Sequence, residues 1–165
     1  MAKINAWASG PFVKWIEDNV TDVHAIEAVV FGDGYGGTGD AWVNVRGVSV
    51  YLDWKSRGAD SGHGCYEEEV AQGGAYCSAD YLIVPSADRL SAVRAPMPTV
   101  DVGMVVSIRP DGWEAYEYDI AKAAEAFELG GPLQVGDGLA EAGQGGLIGG
   151  QLDGRAAGHG RRARC

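Results

Sequence analysis

Apolar residues Phe12, Val13, Trp15, Ile16 and Val20 follow Pro11 at helical spacing, which predicts a short amphipathic helix with the proline in its first turn and a close at residues 19–22. Residues 24–31 alternate imperfectly and then turn apolar, predicting a strand. The glycine-rich residues 32–39 read as a flexible turn into a second strand, 41–45, and Arg46-Gly47 as a tight connection into a third, 48–55. Polar, glycine-rich residues 56–64 predict a loop. Residues 67–79 carry a helical pattern, with three acids in the first turn and a weak point at Gly73-Gly74. A short buried strand, 81–84, stops at Pro85, and a loop rich in Arg and Pro follows. Strands over 102–108 and 113–118 are joined by the hairpin signal Arg109-Pro110-Asp111-Gly112, and Asp119 caps a last helix, 120–129.

Beyond Leu129 the pattern ends. Twelve of the last 36 residues are glycine, none is aromatic, and no apolar period survives. This composition predicts a domain over 1–129 and a Gly-rich, disordered tail over 130–165. A chain of 165 residues is enough for one core. No apolar run reaches the roughly 18 residues of a membrane span, and the N-terminus lacks the pattern of a signal peptide, so the expectation is a cytoplasmic protein without a membrane partner. Cys65, Cys77 and Cys165 are odd in number and lack Cys-x-x-Cys spacing, which argues against a disulfide framework, a zinc ribbon or an iron–sulfur cluster and predicts reduced thiols. The net charge of −10 opposes nonspecific DNA binding, although metal-binding carboxylates contribute to it and local patches steer a ligand.

The candidate chemistry lies between residues 40 and 76. On a strand, Asp53 and Lys55 point to one face and Trp54 to the other. Asp40 ends the glycine turn on the preceding strand, so two antiparallel neighbours would bring both carboxylates to one hard cation. Gln72 and Tyr76, four apart, share a helix face. Gly-x-x-Asp ending at Asp40, then Asp53-x-Lys55, then Gln72-x-x-x-Tyr76, resembles the PD-(D/E)XK nuclease superfamily, specifically its RecB-like exonuclease branch, over about residues 11–129. Asp53-Trp54-Lys55-Ser56-Arg57-Gly58 before an acidic helix start looks like its phage-encoded members.

The resemblance implies an α/β fold, a restriction-endonuclease-like core in which helices flank a central mixed sheet. It implies Mg²⁺ or Mn²⁺ held by Asp40, Asp53 and the carbonyl of Trp54, with Lys55 orienting the attacking water or offsetting transition-state charge, and Gln72 and Tyr76 facing the site. Glu27 is a candidate third acid and Glu17 a weaker one. His24 is a candidate ligand, as a histidine is in some relatives of the resembled branch, or a solvated strand-end histidine. Arg57, His63 and Arg94, in loops, are candidates for phosphate contacts, whereas Trp15, Trp42 and Trp54 fall in core-patterned segments. The implied activity is a metal-dependent deoxyribonuclease, an exonuclease on DNA with a free end, in phage or bacterial replication, recombination or repair. The alternative is a catalytically idle binding or assembly protein on the same fold. Gly32, Gly34 and Gly37 also fit a dinucleotide fingerprint, but that use needs a helix to start at the turn, and residues 41–45 read as strand.

Overall fold

The computed structural model describes residues 10–58, 65–88, 90–109, 112–129 and 160–164, the last five as backbone. The elements run α1 (Pro11–Asn19), β1 (Val20–Gly32), β2 (Tyr35–Val45), β3 (Val48–Ser56), α2 (Glu67–Cys77), β4 (Tyr81–Pro85), β5 (Ala92–Ala95), β6 (Val102–Arg109), β7 (Gly112–Tyr118), α3 (Ile120–Glu128) and β8 (Gly160–Arg164). They form one mixed sheet in the order β5-β4-β1-β2-β3-β6-β7-β8. Pairing is antiparallel except between β3 and β6 and between β7 and β8. The chain is therefore an α/β protein with a mixed sheet flanked by helices, as the alternation of helical and strand periods predicts.

Period-two alternation gives the sheet two apolar faces. Ala41, Val43, Val45, Val50, Leu52, Met104 and Val106 pack on one face beneath Phe12 and Trp15 of α1. On the other face, Trp42 and Tyr51 join Val30 and Leu82, while Val105 and Tyr118 join Val70 of α2 and Ala123 of α3. Trp15 and Trp42 are buried, and Trp54 packs partly buried against the α1 core, as their apolar-patterned surroundings predict. Asp119 caps α3, its side chain accepting from the Lys122 amide.

Gly73-Gly74 serves close packing instead of weakening α2. A Cβ at Gly74 would collide with the Ala123 backbone of α3, and one at Gly73 with the Tyr118 hydroxyl. The lost helix propensity, about 1 kcal/mol per glycine, is exchanged for direct contact with α3 and the sheet.

Several boundaries differ from the sequence pattern. β1 and β2 extend through most of the glycine-rich stretch, which becomes their hairpin, so Asp40 lies within β2 and no helix starts at the glycines. The Arg- and Pro-rich loop contains β5, paired antiparallel to β4. Residues 160–164, within the stretch that reads as tail, pair parallel to β7. Edge pairing is made by backbone hydrogen bonds and needs no apolar period, and the register sets Arg161 beside Glu114 and Arg164 beside Glu117. Residues 130–159 lie outside the described residues. Among the described residues, no helix is long and apolar enough to cross a membrane.

Candidate functional site

β3 ends beside β2 and beneath α2, and that meeting of three elements assembles the polar residues nominated by the sequence. Ala41 pairs with Leu52 at the end of the ladder, and Asp40 and Asp53 are the next residues on the two neighbouring strands. The Asp40 Oδ2 accepts the Trp54 amide at 2.8 Å, fixing this carboxylate to the adjacent strand. Lys55 Nζ donates to Asp53 Oδ1 at 3.0 Å and to Gln72 Oε1 at 3.3 Å, and Gln72 Nε2 donates to the Tyr76 hydroxyl at 2.9 Å. Asp53, Lys55, Gln72 and Tyr76 thus form one hydrogen-bonded row from the strand to the helix. The i,i+2 and i,i+4 spacings supply the two halves of this row, and packing of α2 on the sheet joins them.

The row is unevenly satisfied. The Asp53 side chain is 3% exposed and that of Lys55 is 30% exposed. Lys55 Nζ also stands 2.8 Å from Asp53 Oδ2, but not in hydrogen-bonding direction, so this buried oxygen has an electrostatic neighbour and no hydrogen-bond donor. Burial pushes the Asp53 carboxyl up to about 6; Lys55 pulls it down, while the charges of Asp40 and Glu69 raise it further. Tyr51, under the same helix, is raised well above the ordinary phenol range, chiefly by burial and then by the Asp53 charge.

Gly37 of the β1–β2 hairpin forms a wall of the site. A Cβ there would collide with the Tyr76 hydroxyl, so the glycine lets the hairpin approach the phenol. By sequence these glycines bend the chain and place Asp40. Their closeness to Tyr76 is a tertiary contact that the local pattern does not carry.

Other candidates fall elsewhere. Glu27 lies between the register pairs Ile26–Ala41 and Ala28–Gly39, level with Asp40, with φ 49° and an exposed side chain. Among the described residues, no three His, Cys, Asp or Glu side chains gather as a cation site, so Glu27 does not join Asp40 and Asp53 in a three-acid cluster. Glu17 is exposed on α1, whose core face packs opposite α2. His24 sits in the outer stretch of β1, 4.0 Å from Asp22. Arg94 is in β5, not a loop, with its guanidinium 3.7 Å from the Tyr81 ring centroid, and β5 is four strands from β3. His63 lies outside the described residues. Cys77 is a free thiol pushed up to about 12 by burial, whereas Cys65, expected to be reduced, is disulfide-bonded.

Arg57 is built into the fold and not presented to a ligand. Its Nη2 donates to both Glu69 carboxylate oxygens at 2.8 Å, its Nε to Ser107 Oγ at 2.7 Å, and its backbone amide to the Ile108 carbonyl at 2.9 Å. The guanidinium also lies 4.6 Å from the Tyr66 ring centroid.

No protein-family model matches the chain, and no curated protein matches it in sequence.

Proposed function

We propose that the chain is a metal-dependent deoxyribonuclease with a PD-(D/E)XK core of the RecB-like exonuclease type. The observation that carries this reading is the continuous row Asp53–Lys55–Gln72–Tyr76 with Asp40 beside it, since the residues that the resemblance nominates meet at one place. A surface ion pair has no need of a helix-borne amide and phenol, and burying Asp53 costs stability unless the carboxylate serves another end.

The donor set fits a hard cation. Asp40, Asp53 and the Trp54 carbonyl offer oxygen ligands, and Asp53 Oδ2 is a buried acceptor with no hydrogen-bond donor. Two carboxylates suit Mg²⁺ or Mn²⁺, which keeps waters and takes its remaining ligands from substrate phosphate. When bound, the ion would polarise the phosphoryl group and lower the pKa of a water. Lys55, partly exposed at the strand end, is placed to orient that water or to offset charge developing on the phosphate oxygens. Gln72 holds the Lys55 ammonium in direction, and its amide holds the Tyr76 hydroxyl at the edge of the site, where amide and phenol can bond the substrate backbone. The preference for a free DNA end rests on the Gln72-x-x-x-Tyr76 resemblance.

The test is an assay with end-labelled single- and double-stranded DNA and Mg²⁺ or Mn²⁺. Stepwise loss of label from an end, abolished by chelator, is expected. Intact DNA under every metal condition would instead favour a binding or assembly protein on this fold.

A further inference from the structure

We infer that Arg57 and Glu69 are positioning residues for this site: their ion pair fixes the height of α2 above the end of β3, so that Gln72 meets Lys55. The inference rests on the nuclease reading for its consequence to catalysis, but not for the geometry. Arg57 follows Lys55 by two residues, and Glu69 precedes Gln72 by three. Strand and helix are therefore joined by two rungs, Arg57–Glu69 and Lys55–Gln72, on matching sides.

The rungs differ in strength. The lower one brings Nη2 to 2.8 Å from both carboxylate oxygens, between side chains only 8% and 12% exposed. Each partner is anchored again: Arg57 through Ser107 of β6 and the Ile108 carbonyl, and Glu69 by accepting the Tyr66 amide at 2.9 Å at the start of α2. The pair thus connects the end of β3, β6 and the first turn of α2, with Nη2 meeting both Glu69 oxygens while Nε is held by Ser107, which fixes the guanidinium plane between sheet and helix. The upper rung is a single contact of 3.3 Å, at the long end of hydrogen-bond reach. One residue of helix rise is about 1.5 Å, so a fraction of that slippage breaks it. The weak functional contact therefore depends on the strong buried one.

The experiment compares the parent with Arg57→Met/Glu69→Leu, in which both buried charges are removed together and apolar volume is retained. The Gln72 side-chain amide resonances, identified by their absence in Gln72→Ala, report the upper rung. Cleavage of end-labelled DNA with Mn²⁺ reports kcat and KM. The double variant is expected to unfold cooperatively near the parent's temperature, to show the Gln72 amide at the position of a solvent-exposed glutamine, and to lose about a hundredfold in kcat, as a misplacement near 1 Å can cost, with KM little changed. A folded double variant with parental Gln72 resonances and parental kcat overturns the inference, since a merely structural pair would lower the melting temperature and leave both readouts alone. Should the double variant not fold, Glu69→Gln decides: a shifted Gln72 resonance supports the clamp and an unshifted one overturns it. A parent protein that leaves DNA intact counts against the nuclease reading, while the resonance still judges the clamp.

Discussion

Two polar connections join the same strand end to the same helix, and they are satisfied to very different degrees. Around Arg57, a buried guanidinium meets a carboxylate with both oxygens, a serine hydroxyl and an aromatic ring. Two residues earlier, Lys55 is partly exposed and shares itself between a buried Asp53, one of whose oxygens lacks a donor, and a long contact to Gln72. An unsatisfied buried polar atom costs about 1–3 kcal/mol, offset at Asp53 Oδ2 by the Lys55 ammonium 2.8 Å away. The saturated cluster supports the fold. On the proposed function, the unsaturated one is where a cation would complete the coordination.

The largest expected effect follows from that contrast. Asp53→Ala and Lys55→Ala should each lower cleavage by about a thousandfold or more while far-UV dichroism and cooperative melting persist, because the proposed function assigns these side chains to chemistry. Residual activity close to the parent's in either variant would remove them from the site.

Stability should respond most at the other cluster. Glu69→Leu alone leaves the Arg57 charge buried without its carboxylate and should cost roughly 3–5 kcal/mol in urea unfolding. Arg57→Met/Glu69→Leu should recover most of that loss. Equal destabilisation by single and double variants would mean that the charges are not coupled.

At Asp53 the sign reverses. Its carboxyl is raised from the model-peptide value of 3.8 to about 6 in the fold, so the folded state holds this proton more tightly than the unfolded chain does. That contribution is full below the unfolded pKa and is lost as pH rises through about 6, above which the ionised group is a cost. Asp53→Asn never ionises. In chelator, it should be more stable than the parent at pH 8, by at most on the order of 3 kcal/mol, with the gap narrowing between pH 7 and pH 4. A gap independent of pH would show that the buried carboxylate is compensated in some other way.

Gly37→Ala is expected to have the smallest effect on stability. The added methyl displaces the Tyr76 hydroxyl, so cleavage should fall several-fold with little change in melting temperature. Unchanged activity would place Tyr76 outside the working site.

What the sequence made legible is what spacing within one element determines. Asp53 and Lys55 share a strand face and Gln72 and Tyr76 a helix face because periods of 2 and 3.6 require it, and these residues meet in the fold. Arg57 reads from the sequence as a loop residue for phosphate contacts because its partners are 12 and 50 residues away, and a charged residue after a strand gives no local sign of burial. Gly73-Gly74 looks like a helix defect until α3 is packed against it. β5 and β8 are short edge strands whose pairing relies on backbone groups that all sequences share, so the four residues Ala92–Ala95 read as loop and the polar run Gly160–Arg164 as tail. Glu27 was nominated for standing on the strand before Asp40, and it does lie in register, but its positive φ breaks the alternation on which shared orientation depends.

The most direct test of the central claim is calorimetric titration of the protein with Mn²⁺ at pH 7.5, alongside Asp53→Asn and Lys55→Ala. The parent should bind at one site, Asp53→Asn should lose that binding, and Lys55→Ala should retain or tighten it by removing a positive charge 2.8 Å from a ligand oxygen. A parent that takes up no Mn²⁺, or an Asp53→Asn variant that binds it as well as the parent, would contradict the assignment of a metal-dependent site to the end of β3.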